Sequence, residues 1–278
     1  MKKIFLTLIS LILLGFYVSA EEAEQKTDAV TQATEKKEAA PAQTAEKAAP
    51  AKGEVYEGMP ITPEFSKEVL DKVTAKYSKM YESYAGVKNT RHVTVEYRDP
   101  KTDKLIETEK YVYVRYDDWY KDLKYELLSC ESEGKPVKPN KLFHPLRCDP
   151  HESAPGIPHF DKNGDKEYIR ELVAVEKLNG RLAYKFKMTA RKPKAEHFVG
   201  NVWVAVDNLE YMQNEGTSGK PRLGARPFIK YKAKDFNGGQ FFHFTSGYTK
   251  VTVKLVGYTL VYKFENKDIE LMPKKDKK

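Results

Sequence analysis

The hydrophobic residues of this chain follow two different periods. Between residues 62 and 84 they recur every three or four positions, which places them on one face of a helix of about six turns. This apolar stripe consists of Phe65, Val69, Val73, Tyr77, Met80, Tyr81 and Tyr84. Thr62, Pro63 and Glu64 have the residue types of an N-cap, a first helical position and an acidic first turn, and Gly86 is expected to end the helix.

After this helix, apolar and polar residues alternate with a period of two, as in strands that have one buried and one solvated face. The alternation is clear from Val93 to Arg98 and from Leu182 to Met188, and turn sequences such as Asn179-Gly180 and Asn237-Gly238-Gly239 separate the segments. About nine or ten strands at hairpin spacing follow from this pattern. We therefore predict an α+β, mainly β fold: a strongly curved antiparallel sheet, or half-barrel, covered by one long N-terminal helix.

The start of the chain predicts export. Lys2 and Lys3 precede an apolar stretch that reaches about Tyr17, and small residues end at Ala20, where a secretory signal peptide (residues 1–20) would be cleaved. The stretch is shorter than the roughly 20 residues that cross a bilayer comfortably, although an uncleaved membrane anchor is the alternative. The expected location is periplasmic or secreted.

The rest of the chain divides by composition. Residues 21–53 contain no aromatic residue and are rich in Ala, Glu, Lys and Pro, which predicts a disordered tether. Residues 54–272 are expected to form a single β-rich domain with an irregular insertion at 131–166, and residues 273–278 form a basic tail.

The positive charge of the chain is spread rather than concentrated. Its formal net charge is +8, from 48 Lys and Arg against 40 Asp and Glu. Lysines such as Lys185 and Lys187 alternate with apolar residues, as on a solvated sheet face, and do not cluster with stacking aromatics. Nucleic acid is therefore not an expected partner, whereas the tail keeps a membrane surface among the candidates.

Of the two cysteines, Cys130 immediately precedes the irregular insertion and Cys148 lies within it. Because an oxidising export compartment favours disulfides, we predict a bond between them, with two free or metal-bound thiols as the alternative. His144, Cys148, Asp149, His151 and His159 are close together in sequence, but their spacing matches no familiar zinc pattern. Solvated loop histidines are the expectation, and no metal site is predicted.

Catalytic motifs are missing from the sequence. It contains no G-x-S-x-G, H-E-x-x-H or dinucleotide-binding fingerprint. Asp117 and Asp118 are adjacent on a predicted strand, so their side chains would point to opposite faces and would not converge on one substrate. We therefore predict neither an enzyme nor a cofactor.

The order of elements carries a resemblance. A signal peptide, a long amphipathic helix and then an antiparallel sheet resemble the bacterial outer-membrane lipoprotein-sorting (Lol carrier-like) superfamily of periplasmic proteins. The segments that carry the resemblance are Val175-Glu176-Lys177 with Asn179-Gly180, Gly200-Asn201-Val202-Trp203-Val204, and Asp207-Asn208-Leu209. In that superfamily a half-open barrel lidded by helices binds acyl chains or senses lipid-linked proteins. The resemblance implies the same fold and class of ligand here, while the insertion at 131–166 has no counterpart in it.

One helix cannot fill the concavity of so many curved strands, so the sheet either packs on its own side chains or leaves an apolar cavity. The first hypothesis is an exported periplasmic binding protein that holds a lipid or lipoprotein acyl chain in the concave face, as carrier or sensor. Its predicted apolar lining is Phe65, Val69, Val73, Tyr77, Val93, Val95, Tyr97, Leu182, Tyr184, Phe186 and Met188. The alternative is a structural or interaction protein of the envelope that docks a protein partner and has no ligand cavity. Because core and cavity lining share one alternating pattern, the sequence does not choose between them.

Overall fold

The computed structural model describes residues 54–118, 124–138, 159–161, 164–221, 224–239, 241–253 and 257–274. The predicted signal peptide and tether (1–53) and the end of the basic tail (275–278) lie outside the described residues, so the predicted domain boundaries stay predictions. No helix among the described residues is long and apolar enough to cross a membrane.

The N-terminal helix begins where the sequence predicts. Helix α1 spans Pro63–Ser83, and the Oγ1 atom of its N-cap Thr62 accepts a hydrogen bond of 3.2 Å from the backbone nitrogen of Phe65. This bond satisfies one of the N–H groups that a helix start leaves without an intrahelical partner.

The predicted helix end at Gly86 is wrong. The helix stops at Ser83 because Tyr84 already has extended backbone angles, and Gly86 lies inside the first strand. A Cβ atom at Gly86 would lie 1.9 Å from the carbonyl oxygen of Asp117. The glycine therefore permits a close approach of two strands and does not cap the helix.

Eleven strands are found in the described part of the chain, slightly more than the sequence predicts. In chain order they are β1 Tyr84–Arg98, β2 Leu105–Asp118, β3 Lys124–Ser132, β4 Lys135–Pro136, β5 Tyr168–Leu178, β6 Arg181–Ala190, β7 Phe198–Ala205, β8 Tyr211–Ser218, β9 Phe228–Phe236, β10 Phe241–Val253 and β11 Tyr258–Pro273. A short helix, α2 (Gly164–Glu167), precedes β5, and a 3₁₀ turn (Asn237–Gly239) joins β9 to β10. The mainly β prediction is confirmed.

All strands belong to one open antiparallel sheet with the order β4-β3-β2-β1-β11-β10-β9-β8-β7-β6-β5. Neighbours in the sheet are also neighbours in sequence, except at the β1–β11 pair. That pair joins the first four strands to the other seven, and β4 and β5 are the two edges. The predicted turn at Asn179-Gly180 is confirmed, because both residues have positive φ angles (51° and 81°) between β5 and β6.

The contacts of α1 show that the sheet curves around it. Thr74 of α1 accepts a hydrogen bond from Arg170 of β5, and Tyr77 packs against Phe242 of β10 with ring centroids 5.0 Å apart. These two strands are five positions apart in the sheet, or about 24 Å at ordinary strand spacing. A helix only about 10–12 Å in diameter can reach both only if the strands bend around it. The face toward α1 is therefore the concave face.

Two groups of buried apolar residues lie on this face. The first, here called the helix cluster, has α1 at its centre. Its fully buried members are Val69, Val73, Tyr77, Met80, Val87, Phe160, Tyr168, Leu172, Val175, Tyr184, Phe186, Met188, Ala190, Phe198, Val202, Val204, Tyr211 and Phe241. The second, here called the strand cluster, is formed by β1, β2, β3 and β11. Its buried members are Val93, Val95, Tyr97, Tyr111, Tyr113, Cys130 and Phe264.

Candidate functional site

The structure divides the predicted apolar lining between the two clusters. From α1, Val69, Val73 and Tyr77 belong to the helix cluster, with Phe65 packed at its margin. Four residues of β6 lie against them: Leu182, Tyr184, Phe186 and Met188. In contrast, three residues of β1 belong to the strand cluster: Val93, Val95 and Tyr97. The predicted set is therefore two separate groups, one of which is already packed against the helix.

Aromatic rings connect the two clusters. Tyr211 stacks on Phe242 with centroids 4.5 Å apart, and Phe242 contacts Phe244. Phe244 packs edge to face on Tyr231 at 5.4 Å, and Tyr231 packs in the same way on Phe264 at 5.1 Å. Such pairs stabilise their arrangement beyond the area that they bury. The apolar concave face is thus continuous from α1 to the strand cluster.

Gly247 of β10 makes this arrangement possible. It pairs with Phe264 of β11, and a Cβ atom at position 247 would lie 2.0 Å from Cε1 of Phe264 and 2.6 Å from Cδ1 of Tyr231. The two rings therefore occupy the space that a side chain would take.

Strands β1 and β2 present a ladder of buried residues on this face. The register pairs Val93 with Tyr111 and Arg91 with Tyr113. Closer to the C-terminal end of β2, the next pair on this face is polar: Asn89 of β1 is opposite Arg115 of β2. Polar residues therefore continue the same buried face in which the apolar residues of the strand cluster lie.

The polar border is the name used here for a group of six buried polar residues that adjoins the strand cluster. Five come from β1, β2 and β11, and the sixth comes from β10, at the point where β10 and β11 are no longer paired. The members are Asn89, Arg91, Arg115, Asp117, His243 and Asn266. Each is at most 9% exposed. The burial of so many polar groups requires hydrogen bonding among them.

The hydrogen bonds within the polar border are specific. The Nε atom of Arg91 donates a bond of 2.7 Å to Oδ1 of Asn266, and its guanidinium lies 4.0 Å from the ring centroid of Phe264. The Nε atom of Arg115 donates to Oδ1 of Asp117. The border is therefore joined to the strand cluster through the cation–π contact of Arg91.

His243 is neutral in this environment. Its Nε2 atom accepts hydrogen bonds of 3.2 Å from the side-chain amides of Asn89 and Asn266. Burial lowers the pKa of His243 to about 3, and the nearby charges of Arg91 and Arg115 act in the same direction. Protonation at Nε2 would also replace the acceptor of both amides by a donor.

A second polar contact lies at the far end of the strand cluster. The hydroxyl of Tyr97 donates a bond of 3.2 Å to Oε2 of the buried Glu109. Glu109 is the partner of Val95 in the β1–β2 register. The apolar part of the strand cluster thus lies between two polar groups along β1.

The predicted insertion is described only in part. Four of its residues lie outside the described part of the chain: His144, Cys148, Asp149 and His151. The disulfide therefore stays a prediction. The other cysteine, Cys130, is buried on β3 opposite Tyr111.

His159 is not a solvated loop residue: its Nδ1 atom lies 3.0 Å from the hydroxyl of Tyr211. Burial lowers the pKa of His159 to about 4, with a contribution from Arg170. Among the described residues, no three His, Cys, Asp or Glu side chains are arranged to hold a metal.

Sequence reasoning missed the polar border and most of the aromatic connection. One signal was available, since Arg91 has the same alternation phase as Val93, Val95 and Tyr97 and therefore belongs to the buried face of β1. The partners His243 and Asn266 could not be identified, because their proximity depends on the pairing of β1 with β11.

Comparison with known proteins gives likeness of fold alone. No known family and no curated protein matches the sequence. Among solved structures, a LolA superfamily protein from Nitrosomonas europaea is 13% identical, with a TM-score of 0.43, and the match covers 75% of this chain and 96% of that one. An outer membrane lipoprotein-sorting protein domain from Vibrio parahaemolyticus is 9% identical, with a TM-score of 0.40 and coverages of 77% and 95%. A DUF1329 family protein from Desulfovibrio piger is 13% identical, with a TM-score of 0.36 and coverages of 73% and 92%.

Proposed function

We propose that this chain is an exported, periplasmic binding protein that holds a lipid or lipoprotein acyl chain on the concave face of its sheet, as a carrier or a sensor. The signal-peptide pattern supports the location, and the curved sheet with one covering helix supports the mode of binding. The proposed site is the strand cluster, and its lining includes Val93, Val95 and Tyr97.

The observation that carries this proposal is that α1 packs on only one of the two clusters. Helix α1 packs on the helix cluster through Val69, Val73 and Tyr77, so that this part of the concave face is ordinary core. Among the described residues, the strand cluster has no member from α1, yet its residues are equally apolar. An acyl chain would bury the same kind of surface there that α1 buries in the helix cluster.

The direct test begins with the protein as it is made. Mature protein (residues 21–278) purified gently from its native envelope is analysed by native mass spectrometry, and binding of a fluorescent fatty-acid probe is then measured. A reproducible mass increment that extracts as lipid, together with saturable probe binding, is the expected result. A bare polypeptide mass without probe uptake would contradict the proposal.

A substitution locates the site. Val95 is buried between Glu109 and Tyr262 in the register, so Val95→Trp should crowd the strand cluster and abolish probe binding. The matched control is Val173→Trp, because Val173 is 44% exposed on edge strand β5 and should tolerate the same change. Circular dichroism of both variants checks the fold. Unchanged binding by a folded Val95→Trp variant would exclude the strand cluster as the site.

The alternative of an interaction protein is favoured by a different feature. Edge strand β5 exposes the side chains of Ile169 and Val173, and a strand at the edge of a sheet can pair with an extended partner. Replacement of both residues by Lys should remove a protein that copurifies with the wild-type chain. The same variant should keep its acyl-probe binding if the strand cluster is the site.

A further inference from the structure

We propose that the ligand of the strand cluster is an amphiphile with an oxyanion head, such as a phosphate or carboxylate, and that Arg91 and Arg115 hold that head. This inference rests on the proposed function, because it names the class of ligand that the strand cluster takes. The ligand tail would lie along Val93 to Tyr97, a distance of about 13 Å on an extended strand.

The two arginines are placed for a joint contact. Arg91 pairs with Tyr113, and Arg115 is two residues further along the same strand, so the two side chains are diagonal neighbours on one face. The Cβ atoms of such neighbours are about 7 Å apart. Their guanidinium groups can therefore approach one ligand group from two sides. Burial, and then the charge of Arg91, lower the pKa of Arg115, in agreement with this proximity.

The chemistry of the guanidinium group selects the head. Its planar fork of N–H donors matches the oxygens of a carboxylate or phosphate, and such bonds are strong where water is excluded. Both arginines are less than one-tenth exposed. The polar border contains these two cations, the Asp117 carboxylate and a neutral His243, so its described members favour an anion over a cation.

A buried acceptor points to a ligand at the same place. The Oδ1 atom of Asn89 is inaccessible to solvent and has no hydrogen-bond partner in the described part of the structure, while its amide nitrogen bonds to His243. Asn89 is 1% exposed and is the register partner of Arg115. A buried acceptor without a donor is costly, and because an oxyanion only accepts, a separate hydroxyl beside the oxyanion on the ligand would be the group that satisfies it.

The position of the border fixes the direction of the ligand. Arg91 also contacts the ring of Phe264, a member of the strand cluster, so the charged and apolar parts of the site meet at this residue. An amphiphile with its head at Arg91 would place its tail directly against Val93. A neutral apolar molecule has no anionic head and would make no such contact with the two arginines.

The first experiment uses the wild-type mature protein and needs no variant. Binding affinities are measured by isothermal titration calorimetry with four ten-carbon probes below their micelle-forming concentrations: decyl phosphate, decanoate, decanol and decyltrimethylammonium. The two oxyanions should bind at least about tenfold more tightly than decanol, as expected for added charge-assisted hydrogen bonds. The stronger of the two oxyanions identifies the head as phosphate-type or carboxylate-type.

Substitutions then identify the residues. Arg91→Gln and Arg115→Gln should each reduce binding of the preferred oxyanion about tenfold or more and should affect decanol binding much less. Arg98→Gln is the matched control, because Arg98 is on the same strand but pairs with Glu96 and Asp103 away from the buried face. Circular dichroism identifies a variant that fails to fold, in which case the wild-type probe series alone decides.

The outcomes separate the two proposals. If no probe binds, the proposed function fails and this inference fails with it. If decanol binds as tightly as the oxyanions, the acyl site stands and the oxyanion head is excluded. A preference for oxyanions that disappears in 0.5 M salt, or persists in folded Arg91→Gln and Arg115→Gln variants, indicates adsorption to surface lysines and overturns the assignment.

Discussion

The hydroxyl of Tyr77 donates a hydrogen bond of 2.7 Å to the carbonyl oxygen of Leu209, a residue whose φ angle is +58°. The same hydroxyl accepts a bond of 2.7 Å from the backbone nitrogen of Tyr211. One side chain of α1 therefore satisfies two backbone groups of the β7–β8 connection. It holds the helix to the turn while supporting a backbone conformation that residues other than glycine rarely adopt.

Removal of this hydroxyl should destabilise the fold. Tyr77→Phe removes both hydrogen bonds of this buried hydroxyl, and we expect a loss of about 1–3 kcal/mol in the free energy of unfolding. Urea denaturation measures the loss. The exposed Tyr56 offers a matched control, because Tyr56→Phe should change stability by less than about 0.5 kcal/mol. Equal effects of the two substitutions would refute the role given to Tyr77.

The ion pair between Lys76 and Asp235 should also matter. Lys76 Nζ lies 2.5 Å from Oδ2 of Asp235 and donates bonds of 3.1 Å to the carbonyl oxygens of Asn208 and Leu209. Burial raises the pKa of Asp235, although Lys76 opposes this shift. Lys76→Met leaves that carboxylate buried without its cation, which should destabilise the fold by about 3 kcal/mol.

A control for Lys76 is available one turn earlier on the same helix. Lys72 pairs with Glu68 at 2.5 Å, but both side chains are about 60% exposed. Lys72→Met should therefore lower stability much less than Lys76→Met does. Both variants are compared by the same denaturant titration, and similar losses would show that burial does not determine the strength of the Lys76 contact.

Gly247→Ala should disturb the aromatic connection between the clusters. The added methyl group would collide with the rings of Phe264 and Tyr231, and overpacking of this kind costs about 1–3 kcal/mol. Combining it with Phe264→Leu should restore part of the loss, because the smaller side chain leaves room. Thermal unfolding of the single and double variants measures the coupling. Strictly additive losses would argue against the predicted collision.

His243 should make stability dependent on pH. The folded protein binds a proton at His243 only near pH 3, whereas the unfolded chain does so near pH 6.5, so acid favours unfolding. The full contribution is present above about pH 6.5 and decreases as the pH falls toward 3. Lowering the pH from 7 to 5 should therefore reduce the free energy of unfolding by about 2 kcal/mol through His243.

The variant His243→Gln keeps an acceptor for the two asparagine amides and does not titrate. Its free energy of unfolding should therefore fall less steeply than that of the wild type between pH 7 and pH 5. Identical slopes would show that another group dominates this range. His159, whose pKa burial also lowers, should contribute with the same sign, so His159→Gln is an independent comparison.

The predicted disulfide has a chemical test. Mature protein denatured without reductant and treated with a thiol reagent should show no reactive thiols if Cys130 and Cys148 are bonded. Reduction should then release two thiols and lower stability by about 3 kcal/mol, as expected for a loop of this length. Two reactive thiols before reduction would end the disulfide prediction.

Local patterns predicted much of this fold because their causes are local. Thr62 and Pro63 start the helix through their own backbone chemistry, and Asn179-Gly180 turns the chain because both residues tolerate positive φ. Gly86 misled the prediction, because its role depends on Asp117 of another strand. Likewise, the alternation places Arg91 on a buried face but does not reveal that Asn266 accepts its hydrogen bond or that His243 bonds to Asn266.

The position of β11 beside β1 bears on how the protein is assembled. The last strand of the domain joins the first four strands to the other seven. If the chain is exported from its N-terminus, β1 has no partner on this side until β11 has been translocated, and such long-range pairing is slow to form. A product truncated before Tyr258 would expose the edges of β1 and β10 together. Such truncated chains should therefore be especially prone to proteolysis and aggregation, because only β11 joins the two parts of the sheet in the described residues.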